Sequence, residues 1–170
     1  YKGVLLIKPS KKGQKKFLEK VKDIINGHKS IPQESLIRLL NPVITGWVNY
    51  YKHCVSAEVF QRMDFEIYRK LMKWSLRRHP AKGKHWVVNK YFHNVRGRSW
   101  TFAVKHQENG NTTYHTVKRL ADTKVTRYAK LKCDANPYDA EWREYFDKRE
   151  THQMLLSANG KNTIVRIWER

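Results

Sequence analysis

Clustered positive charge is the most repeated chemical feature of this sequence. Lys11, Lys12, Lys15, Lys16 and Lys22 recur near the start, and Arg62, Arg69 and Lys73 recur at helical spacing further on. Arg77 and Arg78 follow, and Lys82 and Lys84 continue the run beyond Pro80. A third set is Lys105, Lys118, Arg119, Lys124, Arg127, Lys130 and Lys132, seven basic residues against two acidic ones between Thr101 and Cys133. Such groups bind phosphates and release the counterions condensed on a polyanion. Each cluster also has a plainer reading. Lysines line many solvated helix faces, and Arg77 with Arg78 at a helix C-terminus complements the macrodipole for under about 1 kcal/mol. That account does not reach Lys84 and His85, and a merely soluble surface mixes both signs.

Groups that could break bonds are scarce, and no catalytic residue is expected. The chain has no Walker-type phosphate loop and no Gly-x-Ser-x-Gly elbow. It lacks the carboxylate pair of two-metal polymerase chemistry, and most acids of the last quarter, from Asp139 to Glu150, are spaced as a solvated face. Cys54 and Cys133 are isolated and no histidine pairs with a cysteine at ligand spacing, so neither a disulfide framework nor a metal site is expected. A nuclease using His79, His85 or His93 is one alternative, weakened because no acidic partner is spaced to hold a metal with them.

The 170 residues carry a formal charge of +20. Residues 1–133 hold 29 Lys or Arg against 8 Asp or Glu, whereas residues 134–170 hold 6 against 7. The basic surface therefore belongs to the first three quarters. Hydrophobic residues at 40% and aromatics at 12% suffice for a packed core and exclude wholesale disorder. No apolar run approaches the roughly 18 residues of a membrane span and no signal peptide is visible. These features favour a reducing cytoplasmic setting of bacterial type, or an organelle, with no membrane partner. The Tyr1 start and the apolar ending at Trp168 suggest a piece of a larger protein.

The elements that must position these charges are mostly helical. Gly3 to Ile7 is a short apolar run of strand type. Phe17, Val21, Ile24 and Ile25 share one face of a helix that Asn26-Gly27 stops, with lysines opposite. Ser30 and Gln33 form a capping-box pattern for the next helix, and Pro42 should kink or split it near Asn41. Within it Leu40, Ile44, Trp47 and Tyr51 form an apolar stripe. A third helix from about Ser56 to Arg78 carries Val59, Met63, Ile67, Leu71 and Trp74 inward. Three helices with short connections read as a bundle.

After the break at Ala81–Lys84, a short aromatic helix spans Trp86 to Phe92. A hairpin then pairs Ser99–Val104 with Thr112–Val117 around Asn109-Gly110. A last helix runs from about Asp139 to Glu150, with Trp142, Tyr145 and Phe146 inward. The fold class is therefore mainly α, a three-helix bundle followed by a small α+β domain with a β-hairpin. Trp47, Tyr51, Trp86 and Trp100 are expected in the core, because all four sit in patterned segments.

One stretch is more specific than its periodicity. Asn41-Pro42 followed by Gly46-Trp47-Val48-Asn49-Tyr50-Tyr51 resembles the centre of the maturase-specific region, domain X or thumb, of group II intron reverse transcriptases. Lys84-His85-Trp86 and Lys90-Tyr91-Phe92 resemble the join to the family's DNA-binding domain. Ala135-Asn136-Pro137-Tyr138-Asp139, Glu141-Trp142 and Tyr145-Phe146 resemble that domain's end. The resemblance implies the end of a polymerase palm at 1–9, the thumb at 10–80, a DNA-binding domain at 81–150, and a tail at 151–170 leading toward a missing His-Asn-His-type endonuclease.

It further implies binding of group II intron RNA to assist splicing, and of target DNA or template–primer duplex during retrohoming. RNA would meet Lys11, Lys12, Lys15, Lys16, Lys22, Arg62, Arg69, Lys73, Arg77, Arg78, Lys82 and Lys84. DNA would meet Lys105, Lys118, Arg119, Lys124, Arg127, Lys130 and Lys132. The full-length parent would be an RNA-directed DNA polymerase, with Mg2+ expected in its missing core and no cofactor in this chain. The family's polymerase and nuclease residues have no counterpart here. A non-catalytic basic RNA-binding scaffold is the remaining alternative, and the Gly46–Tyr51 block counts against it.

Overall fold

The computed structural model describes residues 6–108, 110–126 and 131–157. The architecture is mainly α, with a small antiparallel sheet. Its elements are α1 (Lys11–Gly27), α2 (Gln33–Tyr51), α3 (Ala57–Arg78), α4 (Lys84–Tyr91), β1 (Phe92–Val95), β2 (Arg98–Glu108), β3 (Asn111–Thr116) and α5 (Arg143–Ser157). Two compact units divide the chain, Tyr1–Tyr128 and Ala129–Arg170. The turn after Pro80 lies within the first unit.

Helix α1 starts where Ser10 Oγ accepts from the Gly13 N–H at 3.1 Å, satisfying one of the donors a helix N-terminus leaves open. Its Phe17, Val21 and Ile25 are buried with Leu36, Ile37, Leu40, Ile44 and Val48 of α2 and with the expected stripe of α3. Trp47 stacks on Phe17 at 4.6 Å between centroids and meets Phe60 at 5.8 Å, so it joins all three helices. Cores of this kind gain most from area removed from water, at about 25 cal/mol per Å².

For α2, the expected split near Asn41 and the expected capping box are corrected. Helix α2 runs unbroken through Pro42 from Gln33 to Tyr51. No capping box forms: the helix begins at Gln33 with Pro32 at its N-cap, so Ser30 lies outside it, and the Gln33 side chain turns elsewhere. Its Nε2 donates to the Tyr91 carbonyl at 2.9 Å and the Ala103 carbonyl at 3.1 Å, bridging α4 and β2. Neither carbonyl group is near Gln33 in sequence, so no local pattern announces the competition.

The sheet has order β1-β2-β3 and docks on the bundle. Trp74 of α3 meets Phe102 of β2 at 5.9 Å. Asn41 Nδ2 donates to the Thr116 carbonyl at 3.0 Å, while its Oδ1 accepts from the Lys118 N–H at 2.8 Å. Asp64 accepts from the N–H groups of Leu120 and Ala121 at 2.8 and 2.9 Å, seating a 3-10 turn on α3. Burial raises the Asp64 pKa, partly offset by those two hydrogen bonds and by Arg119.

The expected hairpin is β2–β3, with Gly110 at φ +79° in its turn; residue 109 lies outside the described residues. Strand β1 adds a second tight hairpin, whose two loop residues Arg96 and Gly97 have φ of +53° and +75°. The pairing passes from His93↔Thr101 to Val95↔Arg98, leaving Ser99 and Trp100 opposite Asn94 alone, a β-bulge. Of the apolar run Gly3 to Ile7, residues 3–5 lie outside the described residues. Leu6 and Ile7 have no regular structure, though the Ile7 carbonyl accepts from the Val55 N–H at 2.8 Å.

In the second unit a 3-10 turn at Ala140–Trp142 precedes α5. Asp139 caps it by accepting from the Glu141 N–H at 3.2 Å. Trp142, Tyr145 and Phe146 pack on one another, at 5.7 and 5.2 Å between successive centroids. All three stay half-buried and not inward as expected, since this unit is small.

Candidate nucleic-acid interface

The lysines of α1 divide between two grooves. Lys11, Lys15 and Lys22 face α3, where they share a cleft of about 450 Å³ with Arg62 and Lys70. Glu19 and Glu66 line the same cleft. Lys15 reaches Glu19 at 4.0 Å, but both side chains are exposed, and such pairs are worth about 0–1 kcal/mol. Arg62 is held more firmly: it donates to Gln14 Oε1, and the buried Gln14 amide donates in turn to the Pro9 carbonyl at 2.7 Å. That chain fixes one guanidinium at the groove wall.

Lys16 faces the other way. With Lys20 it borders an open groove of about 610 Å³ between α1 and α2, whose α2 wall contains Pro42, Gly46, Trp47 and Tyr50. The Asn-Pro…Gly-Trp block therefore has separable roles. Asn41 holds the sheet, Trp47 and Tyr51 pack against the core, and Pro42 and Gly46 shape this groove. Tyr50 stands 75% exposed at its edge. Lys12 is exposed and borders neither groove.

The remaining residues of the first set are scattered. Arg69 pairs with Glu66 at 3.2 Å and lies over the Phe65 ring, while Lys73 is exposed along the same helix. Arg77 and Arg78 border a small cleft with Lys29, Ser30 and Trp74. Arg78 serves the fold: its guanidinium donates to the Lys29 and Ile31 carbonyls and lies 4.5 Å over Trp74. Lys82 and Lys90 flank Trp86 at 5.7 and 4.9 Å, and Lys84 opens α4. Beside them His79 bonds the Tyr91 hydroxyl at 2.8 Å. Burial, then the charges of Lys90, Arg78 and Lys82, hold its ring below the ordinary histidine range.

The sheet gathers Lys118 and Arg119 into a groove of about 810 Å³ with Arg96, Arg98 and the threonines of β3. Arg98 is engaged by Asp122, and Arg119 Nε approaches Asp64 at 3.9 Å. Lys105 and Lys124 are exposed elsewhere on this unit. Arg127 and Lys130 lie outside the described residues. Lys132 belongs to the second unit, where it sits 5.4 Å over Trp142 and 5.3 Å over Tyr145.

Lys20, Lys70, Arg96 and Arg98 line these grooves, and the sequence clusters omit them. The spacings Lys16–Lys20 and Arg62–Lys70 carried the first two, since both fall near one helical face. Trp86 and Trp100, expected in the core, are 42% and 52% exposed. Their segments are patterned, but a cation pair and a bulge turn the two indoles outward. His79, His85 and His93 do not assemble a metal site: among the described residues no group of three or more His, Cys, Asp or Glu could hold an ion. No described helix is long and apolar enough to cross a membrane.

Comparison with known families matches residues 14–92 to the group II intron, maturase-specific domain. No curated protein matches the chain. The matched span runs from within α1 to the start of β1 and includes all of the lining of the two lysine grooves except Lys11 and Gly13. Such a domain implies a maturase role in group II intron splicing and contact with intron RNA.

Proposed function

We propose, from the match of residues 14–92 to the group II intron, maturase-specific domain, that this chain is the nucleic-acid-binding portion of an intron-encoded maturase and reverse transcriptase. It binds folded intron RNA through the two grooves flanking α1 and holds target DNA or template–primer duplex along the sheet. The polymerase chemistry of retrohoming, with its Mg2+, belongs to a core outside this chain. The observation that carries the reading is the α1–α3 groove, where Lys15, Lys22, Arg62 and Lys70 converge from two helices inside the matched span and Lys11 stands just before it. Cations fixed on two rigid walls can follow a phosphate path by shape, which suits structured RNA, whose deep groove offers few readable base edges.

The test is binding to a folded group II intron RNA across a salt series, against an unrelated structured RNA of equal length and a DNA duplex. Tighter intron binding that persists as salt rises is the expected result. The double variant Lys15→Glu/Lys16→Glu should weaken it and flatten the slope of log K against log salt by roughly 2. Equal binding of all three, collapsing together with salt, would reduce the chain to a polyelectrolyte clamp and sink the reading.

A further inference from the structure

Trp100 occupies a backbone position that tryptophan does not favour. Its φ is +64°, in the left-handed region, at the bulge opposite Asn94. Glycine is the residue that takes this region without strain, and a side chain there costs roughly 1–2 kcal/mol. The indole is only half covered there, 52% exposed. It forms one wall of a groove of about 390 Å³ between α3 and β2.

The rest of the groove is built to match. Phe65 of α3, 58% exposed, lies along it, and Tyr68 stands between, 6.4 Å from Trp100 and 5.5 Å from buried Phe92. Tyr68 is thereby pinned at the base of the groove. Lys118 and Arg119 border the same space. Asp64 lines it too, but its carboxylate oxygens already accept from Leu120 and Ala121, so it serves the fold. Flat aromatic walls with cations at the margin are what an unpaired nucleotide needs, a face to stack on and a charge for its phosphate.

We propose that the groove between α3 and β2 is a stacking pocket for one unpaired nucleotide of RNA, with Trp100 as platform and Lys118 and Arg119 meeting the phosphate. This rests on the RNA-binding reading, yet it assigns a separate job: the lysine grooves grip backbone, and this pocket selects a base that is not paired. A duplex, with every base stacked inside, has nothing to insert.

The test uses the full chain, a mixed-sequence octaribonucleotide and an RNA duplex of the same length. The variant Trp100→Gly keeps the bulge conformation and relieves its strain, so it should melt no lower than the parent. It should lose roughly tenfold in affinity for the octamer and nothing for the duplex, while Trp100→Phe retains most octamer affinity. Three results would each overturn the pocket: unchanged octamer binding by Trp100→Gly, equal loss for octamer and duplex, or a lower melting temperature that assigns the indole to the fold. The intron RNA salt series judges the underlying reading separately. A parent chain that prefers intron RNA while Trp100→Gly binds the octamer normally loses only the pocket.

Discussion

Gly13 shows how one missing atom sets the width of a groove. A Cβ there would lie 2.7 Å from the Tyr51 hydroxyl oxygen and 3.2 Å from Ser10 Oγ, but 3.7 Å from Tyr51 Cζ. Replacing a helical glycine by alanine normally gains about 1 kcal/mol. We predict that Gly13→Ala gains less than this or destabilises, because Tyr51 must move away from α1. In a Tyr51→Phe background, with the offending oxygen gone, the ordinary gain should return. A double-mutant cycle of urea unfolding measures the coupling, and additive effects would refute the contact. The same scale separates the lysines. Side chains one residue apart, Lys15 and Lys16, serve different grooves because 100° of helix rotation lies between them.

At the scale of elements, the residues that join helices to sheet decide the arrangement. Asn41 bonds both sides of the β3 terminus, at the Thr116 carbonyl and the Lys118 N–H. Asn41→Ala would strand both groups, with a predicted loss of roughly 1–3 kcal/mol in urea unfolding. Asn49, eight residues on in the same distinctive block, is exposed. Asn49→Ala should therefore cost under about 0.5 kcal/mol. Similar losses for both would mean that Asn41 is not the tether described. Periodicity made α1, α2 and α3 legible, and all five residues expected inward on α3 are buried, though Phe60 and Met72 are buried beside them. Gln33 departs from its pattern because the carbonyl groups it meets are distant in sequence, and Trp100 because a bulge opposite Asn94 interrupts the alternation of its strand.

At the scale of the molecule, the matched domain and the packed unit do not coincide. The family match ends at residue 92, whereas the compact unit runs to Tyr128. Phe102, Val117 and Leu120, all beyond the match, are buried in the same core as Phe17 and Trp74. A fragment ending at residue 92 exposes the surface they cover, so it should melt at lower temperature and bind a hydrophobic dye. A fragment ending at residue 128 should keep the parent's main transition. Equal melting of the two fragments would show that the sheet contributes nothing to the bundle.

The sequence by itself determined the bundle and the strong positive charge, and it pointed to the family whose domain matches residues 14–92, since these follow from apolar period, composition and one block of side chains in order. Only the tertiary structure decided where the charge acts. It split the α1 lysines between two grooves and assigned Arg78 to internal carbonyl groups. It also brought Phe65 and Trp100 to one groove across 35 residues of chain. Helical period and charge are properties of neighbours along the chain. A groove is a property of surfaces that meet only after folding.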